Sequence, residues 1–191
     1  RFSRSVSAVA GEGTGMERDY DFSSRLHFAD LDSAEKIGRS AGERAVRRLR
    51  PRKAATGSIV AVFDPRVARG IAGHQAGAIN GASVARKTSF LKDKLGQQLF
   101  DTSVQVIDDP LMRRGLRSQT FDAEGVAVSK QALIENGVLT SWILDCATAR
   151  ELGLQTNAHA HRGVSSAPSP GAYNLYLAAG RVSPKDLIAD I

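Results

Sequence analysis

Apolar residues fall on even positions in two stretches near the start of the chain. Phe2, Val6, Ala8 and Ala10 form the first. Met16, Tyr20, Phe22, Leu26 and Phe28 form the second, with Glu17, Asp19, Asp21, Arg25 and His27 between them. A period of two is that of a strand with one covered face, so two half-buried strands are predicted. The loop between them, Gly11-Glu12-Gly13-Thr14-Gly15, has the glycines of a phosphate cradle. No Gly-Lys-Ser/Thr follows, however, and a strand comes next where a phosphate loop needs a helix, so a hairpin turn is the better reading. The period then changes. Asp32-Ser33-Ala34-Glu35 has the form of a capping box, and Ile37, Ala41, Ala45 and Leu49 repeat every fourth position. Together they predict a helix to about Leu49. Its polar side is basic and runs into Arg47-Arg48-Leu49-Arg50-Pro51-Arg52-Lys53, where Pro51 stops it. This junction is the expected boundary between two partial domains, residues 1–53 and 54–191.

Beyond it, Ser58 to Phe63 reads as a short strand, and Asp64-Pro65 opens a second helix predicted to reach about Val84. Residues 87–100 are polar and basic and read as a loop with a short helical piece. Val104 to Ile107 is a strand entering Asp108-Asp109-Pro110, a sequence that favours a turn in which aspartates cap local amides. Residues 113–125 are rich in turn formers. Val126 to Ile134 and Val138 to Leu144 flank Asn136-Gly137, the strongest short hairpin signal. A short helix is expected from Asp145 to Leu152 with Gly153 past its end, then a Ser/Pro/Gly loop, then a strand over Asn174 to Ala178. Ser183-Pro184-Lys185-Asp186 begins another helix, whose apolar face starts with Leu187, Ile188 and Ile191. Hairpins and packed helices without regular βαβ alternation define the α+β class.

Composition narrows the function. Of 191 residues 42% are hydrophobic and 24% charged, ordinary for a globular chain and unlike a disordered or coiled-coil one. A single cysteine excludes an internal disulfide framework and a Cys-rich zinc module. No run of apolar residues is long enough to span a membrane, and the cytoplasm is the expected location. The chain starts at Arg1 without a signal-peptide pattern and stops inside a young helix, so it is expected to be a piece of a longer protein. The charge of +6 raises nucleic acid as a partner.

The second predicted helix poses the chemical question. With an ideal start at Pro65, Val67, Ile71, His74 and Ala78 share one face, which predicts a core-facing His74. Gly73, Gly77 and Gly81 repeat every fourth position, and a helical glycine costs about 1 kcal/mol relative to alanine. Their repetition predicts a partner backbone close to this helix.

Several blocks then resemble, in order, the TldD/PmbA family, also called modulator of DNA gyrase, and its PmbA (TldE)-like branch in particular. They are Gly73-His74-Gln75-Ala76-Gly77-Ala78-Ile79-Asn80-Gly81, the 85–96 segment from Ala85-Arg86-Lys87 to Gly96, Asp108-Asp109-Pro110, Phe121-Asp122-Ala123-Glu124-Gly125-Val126, Glu135-Asn136-Gly137-Val138-Leu139, Gly153-Leu154-Gln155-Thr156 and Pro168-Ser169-Pro170-Gly171. The resemblance implies that TldD-like members are zinc peptidases whose His-Glu-x-x-x-His helix supplies two ligands and a general base, completed by a cysteine nearer the C-terminus. In this sequence the first ligand position is His74, the glutamate position is Gln75 and the second histidine position is Ile79. A neutral amide accepts no proton at neutral pH, and an alkyl chain offers no lone pair. Cys146 is not at the cysteine position. The resemblance therefore implies a subunit without its own catalytic residues or metal, working with a TldD-like partner that carries zinc, and a truncated peptidase-like domain over 54–191. The family's expected role is proteolysis of unfolded or flexible peptides, including antitoxin turnover and removal of a microcin leader. Homodimers are the other assembly left open.

Two rivals remain. The cluster Arg47, Arg48, Arg50, Arg52 and Lys53 could contact DNA or gyrase through phosphate neutralisation, although no aromatic residue is interleaved for base stacking. A self-sufficient metallopeptidase would need ligands from elsewhere, for example Asp108, Asp109 and His161. His27, His159 and His161 are scattered, and read more simply as surface or interface histidines. Cys146, at a helix start after Asp145, is placed where a thiolate is favoured, but no histidine adjoins it in sequence.

Overall fold

A computed structural model describes residues 1–189. The predicted helix face residue Ile191 lies outside the described residues. The chain is α+β and divides into two compact units, residues 1–59 with 114–116, and 60–113 with 117–191.

In the first unit β1 (Phe2–Ala10) and β2 (Glu17–Arg25) pair as an antiparallel hairpin, and α1 (Ala34–Arg47) packs on it. Ser33 caps α1 by accepting the Lys36 N–H at 3.2 Å, and Ile37, Ala41 and Ala45 are buried as their spacing predicts. The hairpin faces differ from the expectation of one apolar face. The register pairs Val6 with Asp21 and Ala8 with Asp19, so the even positions of β1 share a face with the odd positions of β2. That face carries Asp19, Asp21 and Ser23 toward α1, where Arg44 pairs with Asp21 and Arg48 with Asp19 and Glu17. Tyr20, 47% exposed, and Phe22 stack on the opposite face. The loop length fixes this parity, because a one-residue slip would exchange the two faces of a strand.

The second unit is built on a four-stranded antiparallel sheet in the order β5-β4-β3-β8, from β3 (Val106–Asp108), β4 (Gln131–Glu135), β5 (Val138–Leu139) and β8 (Leu175–Leu177). Asn136 (φ 48°) and Gly137 (φ 77°) close the predicted β4–β5 turn in the left-handed pair of conformations that Asn-Gly favours. β6 (Ala160–His161) pairs with β7 (Ser169–Pro170) as a separate ribbon. The helices are α2 (Pro65–Ala78), α3 (Gly81–Ala85), α4 (Cys146–Glu151) and α5 (Pro184–Ala189). The core gathers Ile79, Val84, Val106, Leu133, Ile134, Leu139, Trp142, Ile143, Leu144 and Ala149. Asp145 caps α4 in a reciprocal box with Thr148, and Gly153 (φ 68°) follows its end.

One predicted element is absent and another is shorter than predicted. Residues 58–63 form no strand, and Ile59, Val60, Val62 and Phe63 stand exposed. A strand needs a neighbour to take its backbone hydrogen bonds, and none is offered there among the described residues. The second helix does not run to Val84. It stops at Ala78, and Asn80 starts α3 by accepting the Ala82 N–H at 3.0 Å. The break is held from outside the helix, since Ile143 N–H donates to the Ile79 carbonyl and Gly81 N–H to the Ile143 carbonyl.

Candidate functional site

Asp64 caps α2 by accepting the Arg66 N–H at 2.9 Å, with Pro65 in the first turn. The covered positions are Ala68, Ala72, Gln75, Ala76, Ala78 and Ile79, so that of the predicted face only Ala78 is buried. Val67 and Ile71 are 57% and 51% exposed, and His74 is exposed beside them. The predicted core-facing His74 is therefore corrected. The larger residues Val67 and Ile71 made that face look buried, while the close-packed side is built from alanines. Gln75 is half-buried and its Nε2 has no hydrogen-bond partner among the described residues. Ile79, 0% exposed, lies in the core cluster. Positions 74 and 79 thus open on different surroundings, solvent for one and core for the other.

A zinc ion needs three or four donors converging on one point. At the three motif positions this chain offers one exposed imidazole, one neutral amide and one alkyl chain, which do not fit such an ion. Among the described residues no three His, Cys, Asp or Glu side chains are grouped so as to hold a metal. Asp108, Asp109 and His161 are not brought together as a ligand set. Asp109 Oδ1 accepts the Leu111 N–H at 3.0 Å, the expected turn geometry. Asp108 departs from that reading, since it is a fully buried strand residue whose Oδ2 accepts the Tyr173 N–H at 2.7 Å.

The glycine stripe divides at the helix break. A Cβ added at Gly73 or Gly77 would meet nothing within 4 Å. One added at Gly81 would lie 2.8 Å from the Ile143 carbonyl oxygen and 2.7 Å from Leu144 Cδ2. Within the described residues only Gly81 has the close backbone neighbour that the stripe predicts.

Two of the three remaining histidines, His159 and His161, form a polar cluster that sequence reasoning missed. His159 is buried, not a surface residue, and its Nε2 lies 3.2 Å from Asp108 Oδ2. Tyr173 stacks obliquely on both His159 and His161, at ring-centre distances of 5.4 and 4.5 Å, and donates its hydroxyl to the Ala158 carbonyl at 2.7 Å. Burial foremost, then the Arg117 charge, pushes the His161 imidazole below its usual range. Burial likewise pushes the Tyr173 phenol up. The alternating His159-Ala160-His161 was the available signal, but the carboxylate that completes the cluster is about fifty residues upstream. His27 lies in the first unit and is exposed.

Cys146 is half-buried, and the thiolate expectation is reversed. A hydrogen bond to the Glu124 side chain, then burial and the Glu124 charge, push the thiol up. The Cys146 N–H also donates to Glu124 at 2.8 Å, so the helix start already serves a carboxylate. In the basic cluster, Arg47 pairs with Glu43 at 3.6 Å and Arg48 with Glu17 and Asp19 at 3.5 and 3.7 Å. These carboxylates offset part of the field a phosphate backbone would meet, while Arg50, Arg52 and Lys53 are exposed.

Family comparison places this geometry. Residues 56–191 match the PmbA/TldA metallopeptidase C-terminal domain, and residues 1–49 match the PmbA/TldA metallopeptidase central domain. The chain belongs to the PmbA/TldD metallopeptidase family. It is 39% identical over 160 residues to metalloprotease PmbA of Escherichia coli O157:H7, covering 84% of this chain and 36% of that relative. A crystal structure from Bacteroides thetaiotaomicron, titled as a modulator of DNA gyrase, superposes with a TM-score of 0.86 at 26% identity, over 99% of this chain and 41% of that one. TldE from Thermococcus kodakarensis has the same fold, with a TM-score of 0.74 at 24% identity over 99% of this chain and 43% of that one. The chain thus spans well under half the length of these relatives. No helix among the described residues is long and apolar enough to cross a membrane.

Proposed function

We propose that this chain is part of a PmbA/TldE-like subunit of a TldD/TldE-type zinc metallopeptidase. It supplies structure and substrate contact and leaves hydrolysis to a TldD-like partner that carries the zinc. The observation that carries the reading is the α2 motif, with Gln75 at the base position and Ile79 sealed in the core. A glutamate general base needs an ionisable oxygen aimed at the attacking water, and the amide of Gln75 has none to ionise. The proposed substrates are unfolded or flexible peptides in the cytoplasm, which in the family include antitoxins and microcin leader segments. The division into a central-domain part, 1–53, and a peptidase-like part, 54–191, belongs to the same proposal.

The test is reconstitution. The full-length protein is co-expressed with a TldD-like subunit, and hydrolysis of an unstructured peptide is measured for each alone and for the pair. The expected result is co-purification, with activity in the pair well above the sum of the separate subunits. Equal activity in the isolated protein and the pair would overturn the reading.

A further inference from the structure

Arg86-Lys87-Thr88-Ser89-Phe90-Leu91-Lys92-Asp93-Lys94 sets four cations against one carboxylate, with an aromatic residue between them. The segment follows α3 as a run of tight turns. Lys87 N–H donates to the Val84 carbonyl at 2.9 Å and Thr88 N–H to the Ser83 carbonyl at 3.0 Å, the paired bonds of a Schellman helix end. Glycine is the usual residue at the left-handed position of that motif, and here it is Lys87, with φ 60°. The strain of a side chain at this position is kept where a glycine would relieve it, which points to use of the cation. Ser89 is buried, and its hydroxyl donates to the Ala78 carbonyl at 2.5 Å. Leu91 packs on the core, and its N–H donates to Ser89 Oγ at 3.0 Å. Both neighbours of Phe90 are thus pinned inward, and Phe90 itself is held out, 82% exposed. A fixed mount that keeps an aromatic ring in water marks a contact surface. Arg86, Lys87, Lys92 and Lys94 are exposed as well. Lys92 pairs with Asp93 and Lys94 donates to Gln97 Oε1, whereas Arg86 and Lys87 have no carboxylate partner among the described residues.

The kind of partner follows from these side chains. Lysine is depleted from protein–protein interfaces, where tyrosine, tryptophan and arginine are enriched. One ring offers too little apolar area to hold a membrane surface. Single-stranded nucleic acid needs what the segment presents, a ring on which any base can stack and cations spaced along the chain for the phosphates on either side. We propose that this turn is a contact site for single-stranded nucleic acid, in which Phe90 stacks on a base while Arg86, Lys87 and Lys94 neutralise flanking phosphates. The Arg47 to Lys53 cluster lacks this combination, since no aromatic residue lies within it and carboxylates pair with Arg47 and Arg48. The site is separate from the α2 motif and stands whether or not the peptidase reading does.

The test titrates the full-length protein into fluorescein-labelled oligothymidylate and reads anisotropy. Three neutralised phosphates on a single strand give a log–log salt slope of about −2, so affinity should fall roughly 20-fold between about 50 and 200 mM salt. Phe90→Ala should weaken binding about tenfold at either salt, through the lost stacking. Phe90→Trp should keep the affinity, and the fluorescence it adds over the wild type should be quenched as a base stacks on the ring. Lys87→Gly suits the left-handed position, so the fold is kept, which chemical denaturation checks. It should weaken binding about fivefold through the lost phosphate contact. No binding at the lower salt overturns the proposal without any variant. Unchanged affinity in Phe90→Ala or in Lys87→Gly overturns it too. Binding to phosphatidylglycerol vesicles in place of the oligonucleotide assigns the turn to a membrane surface and equally overturns it.

Discussion

Gly77 and Gly81 share a residue type and a spacing but not an environment. At Gly77 a methyl group meets open space, so Gly77→Ala should stabilise α2 by up to about 1 kcal/mol through helix propensity alone. At Gly81 the same methyl meets the Ile143 carbonyl oxygen, and Gly81→Ala should cost about 1–3 kcal/mol, because a backbone atom cannot swing aside. Chemical denaturation of the two variants checks the opposite signs. His161 gives a second prediction at this scale. Its folded-state affinity for a proton is depressed, chiefly by burial. The unfolded chain therefore binds more protons below about pH 6.5, and stability should fall as pH drops through 6.5 and further. His161→Phe keeps a ring against Tyr173 and should flatten that acid limb, which thermal unfolding between about pH 5 and 7 would record. Single residues were unevenly legible in the sequence. Asn136-Gly137 announced its turn because the left-handed conformation has few residue types to choose from. His159 did not announce its burial, because the carboxylate facing it comes from a strand distant in sequence.

Among elements, the break after α2 is the most consequential. Asn80 caps α3 and donates to the Pro170 carbonyl, so Asn80→Ala should cost about 1–2 kcal/mol through the lost cap and the orphaned carbonyl. The loss should also loosen residues 169–171 in hydrogen exchange. Periodicity alone continued the helix to Val84, since a cap inside an apolar pattern is outweighed by the residues around it. What decides the break is tertiary, namely the exchange of backbone hydrogen bonds with Ile143. The hairpin of β1 and β2 teaches the same lesson. Both strands were plain from the period of two, but which face meets α1 depends on the register, and the register follows from the loop. Residues 58–63 have strand composition without a strand partner, and β-propensity without a partner does not make a strand.

At the scale of the molecule, the α+β class and the family were both readable, because ordered blocks spread over the chain identify a family better than any one motif. The candidate site was readable in identity and not in orientation. Gln75 and Ile79 could be named from the motif, whereas the exposure of His74 depended on which side of α2 the sheet covers. The central claim is that these positions leave the chain without a hydrolytic metal centre of its own. Elemental analysis of the isolated full-length protein, paired with a chelator-sensitive peptidase assay on the same sample, tests it most directly. The account predicts zinc well below one ion per chain and no peptide hydrolysis that a chelator abolishes. One tightly bound zinc per chain, with hydrolysis lost on chelation and restored by added zinc, would contradict it.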